Sequence, residues 1–266
     1  MKTNQISIAD YVDSLQKKGR YTFTKAELKK AVQESDAILK LSLWRLAKRQ
    51  RITLIREGFY VIIPLEYASS GVLPPDWFVD DLMKFLGQQY YVALLSAAGI
   101  HGAAHQQTQE FQVMVPQMLR GIKAGSLRIK FFKKASMGSS SPDLFKTQTG
   151  YMKVSNPAVT AIDLVAYASR VGGLDRVLTV LQELSEKLSA EILLKEAKKE
   201  RNIAYVQRLG CLLEQAGQSK LTAGIAEWIK EERPRETPLD PSLDRKGFSR
   251  DPKWKVIINA DIEGEL

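Results

Sequence analysis

The sequence predicts an α+β chain: an N-terminal winged helix-turn-helix domain (1–66), a short linker (67–76), and a larger mixed α/β domain (77–266). The larger domain is expected to end in a helical bundle and a late strand. Three observations predict this. The first 65 residues run through three helical periodicities and then a strand-turn-strand pattern, a Ser-, Gly- and Pro-containing break follows, and positive charge is concentrated before the break.

Taking the elements in order, Ile8, Tyr11, Val12 and Leu15 recur at three- and four-residue spacing, and Gly19 stands where a helix should stop, so a helix is expected from about Ser7 to Lys18. Thr24 and Glu27 form a capping-box pattern that opens a short helix from Lys25 to about Val32. Ser35 and Asp36 offer the next N-cap, and Leu39, Leu43, Leu46 and Ala47 trace one apolar stripe along a helix reaching about Gln50. RITLIR and FYVII, joined across Glu57 and Gly58, read as a β-hairpin. EYASSGVLPPD then interrupts both periodicities and marks the domain junction.

In the second part, Trp77–Leu86 and Tyr90–Ala98 read as helices. Glu110–Val115, Leu127–Lys133 and a pair around Gly150 read as strands. Asn156 followed by Pro157 is a helix start. From there helices are expected at Ala158–Arg170, Leu174–Lys187, Ala190–Lys199, Ile203 to about Gln215, and Leu221–Glu231. Residues 232–251, rich in Pro and charge, should form a loop, and KWKVIINADI one late strand.

A hydrophobic fraction of 44% and a charged fraction of 26% exclude a disordered or fibrous chain. The N-terminus has no uninterrupted apolar stretch for a signal peptide and no run is long enough to span a bilayer, so a cytoplasmic location without membrane contact is expected. The lone Cys211 is expected to be a buried structural thiol.

Of the formal net charge of +9, +6 lies in residues 1–66. That asymmetry points to an anionic partner for this segment, since phosphate neutralisation supplies most nonspecific nucleic-acid affinity. In a helix-turn-helix protein the second helix of the motif enters the major groove, and neighbouring cations hold phosphates. The helix from Asp36 to Gln50 is the candidate reader. With Leu39, Leu43 and Leu46 turned to the core, Lys40, Ser42, Arg45, Lys48 and Arg49 fall on its other faces, and Arg51 and Arg56 flank the first hairpin strand. These seven residues are the candidate DNA contacts. Leu41 and Trp44 fall opposite the apolar stripe and are expected to pack on the other domain or on a dimer mate.

Enzyme signatures are weak. His101 and His105 have a metal-ligand spacing, but no Glu follows His101 and glycines weaken the helix there. Asp143 in SSSPDLF invites comparison with nuclease cores, yet the acidic-x-Lys of the next strand is missing and Lys153 stands without its acid. Phosphate-binding, nucleophile-elbow and dinucleotide-binding glycine motifs are absent. No catalytic residue, metal or cofactor is assigned. A nucleic-acid-processing enzyme that uses the winged helix to deliver substrate is the alternative reading.

The REGFY wing, YYVALLSAAGIHGAAHQQTQEFQVMV, SNPAVTAIDLVAYASRVGGLDRVLTVLQEL and KWKVIINADIE together resemble the AbiEi-type antitoxins of bacterial abortive-infection loci. The resemblance implies a transcriptional autorepressor, encoded beside a nucleotidyltransferase-like toxin, that acts on inverted repeats in its own promoter. It also implies that the larger domain neutralises the toxin without requiring a stable complex. Binding to double-stranded DNA by two or more protomers is expected, because a single module of about 65 residues covers too little DNA to find one promoter. For DNA contact it carries over to Lys40, Arg45, Lys48, Arg49 and Arg56.

Overall fold

Local sequence rules set the helix starts. The structure, a computed structural model, describes residues 6–103, 109–137 and 142–263. Ser7 caps α1 (Ile8–Lys17) by accepting from the Asp10 amide. A three-residue strand, β1 (Thr22–Thr24), leads directly into α2 (Lys25–Val32), where Thr24 and Glu27 form the expected reciprocal capping box. Ser35 caps α3 (Asp36–Lys48). The strands β2 (Ile52–Arg56) and β3 (Phe59–Ile62) turn at Gly58, whose φ of 80° is open to glycine but costly to other residues.

Beyond the hairpin come α4 (Val79–Phe85), β4 (Tyr91–Val92), α5 (Leu94–Ile100), β5 (Phe111–Val115), β6 (Ile122–Ala124), β7 (Leu127–Lys133), β8 (Asp143–Lys146) and β9 (Tyr151–Val154). The helices α6 (Pro157–Ala166), α7 (Gly173–Leu184), α8 (Ala190–Lys199), α9 (Ile203–Gln215) and α10 (Ser219–Glu232) follow. The short strands β10 (Thr237–Pro238), β11 (Arg250–Asp251) and β12 (Val256–Ile257) complete a mixed α+β chain.

The backbone divides into two compact units that interleave in sequence. The first comprises Met1–Tyr90, Gln109–Lys133 and Leu144–Lys153; the second comprises Tyr91–Thr108, Lys134–Asp143 and Val154–Leu266. In the first unit, α1, α2 and α3 close over Ile8, Val12, Leu15, Phe23, Leu28, Val32, Leu39, Leu43, Ile52 and Ile62. Their sheet is antiparallel in the order β1-β3-β2, with Thr22 opposite Val61 and Ile52 opposite Ile62. Residues 67–76, expected as a linker, expose Ser69 and Ser70 but also hold buried side chains. Val72 and Leu73 are buried, and the Thr53 hydroxyl donates to the Gly71 carbonyl at 2.7 Å. β7 pairs in parallel with β5 and antiparallel with β6.

In the second unit, α6 is the central helix, with eight of its ten residues buried. Asn156 caps it through the Val159 amide at 2.9 Å, with Pro157 at the first helical position as expected. Asp163 on this helix is fully buried. It accepts from the Lys134 ammonium at 2.6 Å and from the Tyr91 hydroxyl at 2.9 Å, and Lys134 also lies 3.2 Å from Glu200. Burial pulls the Lys134 ammonium down, but the two carboxylates outweigh it and hold the group above its ordinary value, whereas at Asp163 burial outweighs the same pairing and holds the carboxyl above its ordinary value.

The C-terminal strands fasten onto α9. The Gln207 amide donates to the Arg235 and Trp254 carbonyls, and the Arg208 guanidinium donates to the Pro238 carbonyl and the Thr237 hydroxyl. Cys211 is buried, and burial pushes its thiol up to about 12, so it stays protonated at neutral pH. No helix among the described residues is long and apolar enough to cross a membrane.

Three expectations differ from the structure. The single helix read over Tyr90–Ala98 is a strand, β4, followed by α5, with Leu94 at the junction in the left-handed region (φ 54°). The apolar run YVALLSAA is buried throughout and carries no period to distinguish strand from helix. The late strand shrinks to Val256–Ile257, and the expected loop before it supplies both of its neighbours, β10 and β11.

Candidate nucleic-acid interface

α3 presents two contrasting faces. Leu39 and Leu43 are buried in the cluster described above, and Leu46 packs against it. From Ala37 to Arg56 the chain contains no acidic residue. The outward side of α3 therefore has uniformly positive charge beyond its first turn.

Lys40, Arg45, Lys48 and Arg49 are exposed on or just after this helix, and Ser42 is half-buried at its flank. Arg45 and Lys48 lie in the last turn, where cations also complement the helix dipole. The Lys48 ammonium sits 5.2 Å from the centroid of the Trp44 ring.

The two remaining candidates are engaged within the first unit. Arg51 makes an ion pair with Asp13 at 2.5 Å and reaches Gln16 at 3.5 Å. Arg56 donates to the Arg120 carbonyl, and burial together with the Arg120 charge lowers its pKa. Their partners lie 38 and 64 residues away in sequence, beyond the reach of local pattern.

Sequence reasoning also passed over cations that strand register brings together. In the β6–β7 pair, Lys123 stands directly opposite Arg128, and both are exposed. Directly opposed like charges are unfavourable in an antiparallel pair. No periodicity marks them, because the turn at Ala124–Leu127 sets the register.

Leu41 and Trp44 are not covered by the chain itself: they are 47% and 58% exposed, and Ile38, one turn earlier, is 48% exposed. Among the other residues singled out, the His101 Nε2 lies 2.7 Å from the Ser155 carbonyl, while His105 lies outside the described residues. Asp143 is exposed on β8, and Lys153 on β9 places its ammonium 5.9 Å from the Tyr90 ring centroid. No group of three or more His, Cys, Asp or Glu side chains suited to a metal ion occurs among the described residues.

Comparison with known proteins adds two findings. The crystal structure of the RV2827C protein from Mycobacterium tuberculosis superposes with a TM-score of 0.65 over 94% of this chain and 90% of that one, at 15% identity. The two chains therefore share a fold. No curated protein matches the sequence. Residues 91–215 match the family described as the AbiEi antitoxin C-terminal domain. That segment includes α6, α7, α8 and α9, and through it the chain is similar to the AbiEi-type antitoxins.

Proposed function

We propose that the protein is a DNA-binding transcriptional autorepressor and antitoxin, in which residues 1–66 form a winged helix-turn-helix and the C-terminal part neutralises a co-encoded nucleotidyltransferase-like toxin. The observation that carries the DNA-binding half is the outward face of α3, with Lys40, Arg45, Lys48 and Arg49 exposed and no acid up to Arg56. The helix order and the β1-β3-β2 sheet support the winged arrangement, with α3 in the place of the groove-reading helix. The antitoxin half rests on the family match over residues 91–215. Arg51 and Arg56 serve in this reading as struts that fix the hairpin, and Arg45 and Lys48 hold phosphates.

Binding to the protein's own promoter, measured by fluorescence anisotropy at several salt concentrations, tests this reading. Affinity should fall steeply with salt, with a slope of about 0.9 per phosphate neutralised. Arg45→Ala and Lys48→Ala should each flatten that slope by about one contact. A salt-independent affinity, or unchanged slopes in both variants, removes the assignment. Growth rescue in cells expressing the neighbouring toxin gene tests the antitoxin half separately.

A further inference from the structure

The outward face of α3 is not only cationic. Ile38, Leu41 and Trp44 follow one another at three-residue spacing, each about half exposed, and form an apolar strip over the first two turns and into the third. Arg45, Lys48 and Arg49 cluster at the other end of the helix. Large apolar groups placed in water on a helix whose other side is well buried call for a partner.

We infer that this strip reads thymine: Ile38, Leu41 and Trp44 contact the 5-methyl groups exposed in the major groove, while the C-terminal cations of α3 hold the backbone. The inference rests on the DNA-binding reading above and gives it a source of sequence discrimination. An α-helix fits the major groove, where thymine alone among the bases offers an apolar methyl. The N-terminal residues of a groove-reading helix are the ones that reach base edges, and here those positions hold Ile38 and Leu41. The Lys48 ammonium over the Trp44 ring couples the two ends of the face.

A second copy of the chain is a poorer occupant. A two-fold contact through this face would set Lys40, Arg45 and Lys48 against their own counterparts with no acid beyond Asp36 on the helix to offset them. A duplex offers both complements at once, methyl groups for the strip and phosphates for the cations.

The experiment uses the full chain and its promoter duplex, with thymines in the protected half-site replaced one at a time by deoxyuridine. This deletes only the methyl group. Affinity should fall about fourfold for each contacted methyl, the equivalent of one buried methylene-sized group. Leu41→Ala and Trp44→Ala should weaken binding to the thymine duplex and abolish its advantage over the deoxyuridine duplex at the matching positions. Their salt slope should stay at the wild-type value. Leu41→Met and Trp44→Phe, which keep apolar bulk, should retain most of the discrimination, and circular dichroism checks that every variant is folded.

Equal affinity for thymine and deoxyuridine duplexes at every position overturns the inference. So does full discrimination in both alanine variants, or a shift by Trp44→Ala in sedimentation alone, which would make the strip a contact between copies. In each of these cases steep, salt-dependent promoter binding would persist and the DNA-binding reading would stand. Absence of promoter binding at any salt concentration overturns both.

Discussion

Asp163 is a carboxylate held in the interior of the second unit by one ammonium and one phenol. Removing one partner of such a pair leaves a charge in low dielectric, which costs about 3–5 kcal/mol. Lys134→Met is therefore expected to lower the Tm by on the order of 10 °C in a chain of this size. The double variant Lys134→Met/Asp163→Asn should recover part of the loss, because Glu200 alone is then left without the ammonium it shared with Asp163. A double variant as unstable as the single one would show that Lys134 acts through packing. Gly210 makes a different demand. A Cβ there would enter the van der Waals envelope of the fully buried Trp254 ring. Gly210→Ala should cost about 1–3 kcal/mol by overpacking, and pairing it with Trp254→Leu should relieve part of that. Thermal melts of the three proteins check the sign. Neither residue stands out in the sequence, since Gly210 looks like a weak point in a helix and Asp163 like a surface charge.

At the scale of elements, the N-terminal helices were legible because their signals are local. Ser7, the Thr24–Glu27 box, Ser35 and the leucine stripe all act within a few residues. β1 was not legible, since three residues of TFT become a strand only by pairing with Phe59–Val61. The candidate site divides in the same way. Lys40, Arg45, Lys48 and Arg49 could be placed from helical period alone, whereas the roles of Arg51 and Arg56 depend on Asp13 and Arg120. The α2 cap also carries a pH signature. Burial of the Glu27 carboxyl raises its pKa, but the Arg20 guanidinium and the Thr24 amide outweigh this, so the net shift is below its ordinary 4.5. Because the folded value is the lower one, the stabilisation is present above pH 4.5 and is lost as pH falls through the folded pKa. Denaturant titrations between pH 6 and pH 3 should show a shallower acid loss in Glu27→Gln than in the parent. Parallel curves would remove the cap from the account.

At the scale of the molecule, the DNA-binding segment proposed for residues 1–66 is too small to single out one promoter among many competing sites. Footprinting is expected to show an inverted repeat occupied by two or more copies, with half-site centres about one helical turn apart or a multiple of it. A single unpaired protected site contradicts this. The α+β class and the order of most elements could be read in the sequence, but the division into units could not. Residues 109–133 and 144–153 join the first unit through contacts such as the Arg56 guanidinium on the Arg120 carbonyl and the Thr149 hydroxyl on the Trp77 carbonyl. Such contacts join segments far apart in sequence and leave no periodic trace.

That interleaving has a consequence on the ribosome. The cluster under α1, α2 and α3 draws only on residues 8–62, so it can form as soon as those residues emerge. The rest of the first unit is complete only when Lys153 has been made, some ninety residues later. At about 5–20 residues per second, this leaves an interval of roughly 5–20 seconds in which the Arg56 guanidinium and the Trp77 carbonyl await Arg120 and Thr149, still to be translated. A nascent chain stalled in that window has α3 assembled on a half-finished body, and is the species most exposed to chaperones and proteases.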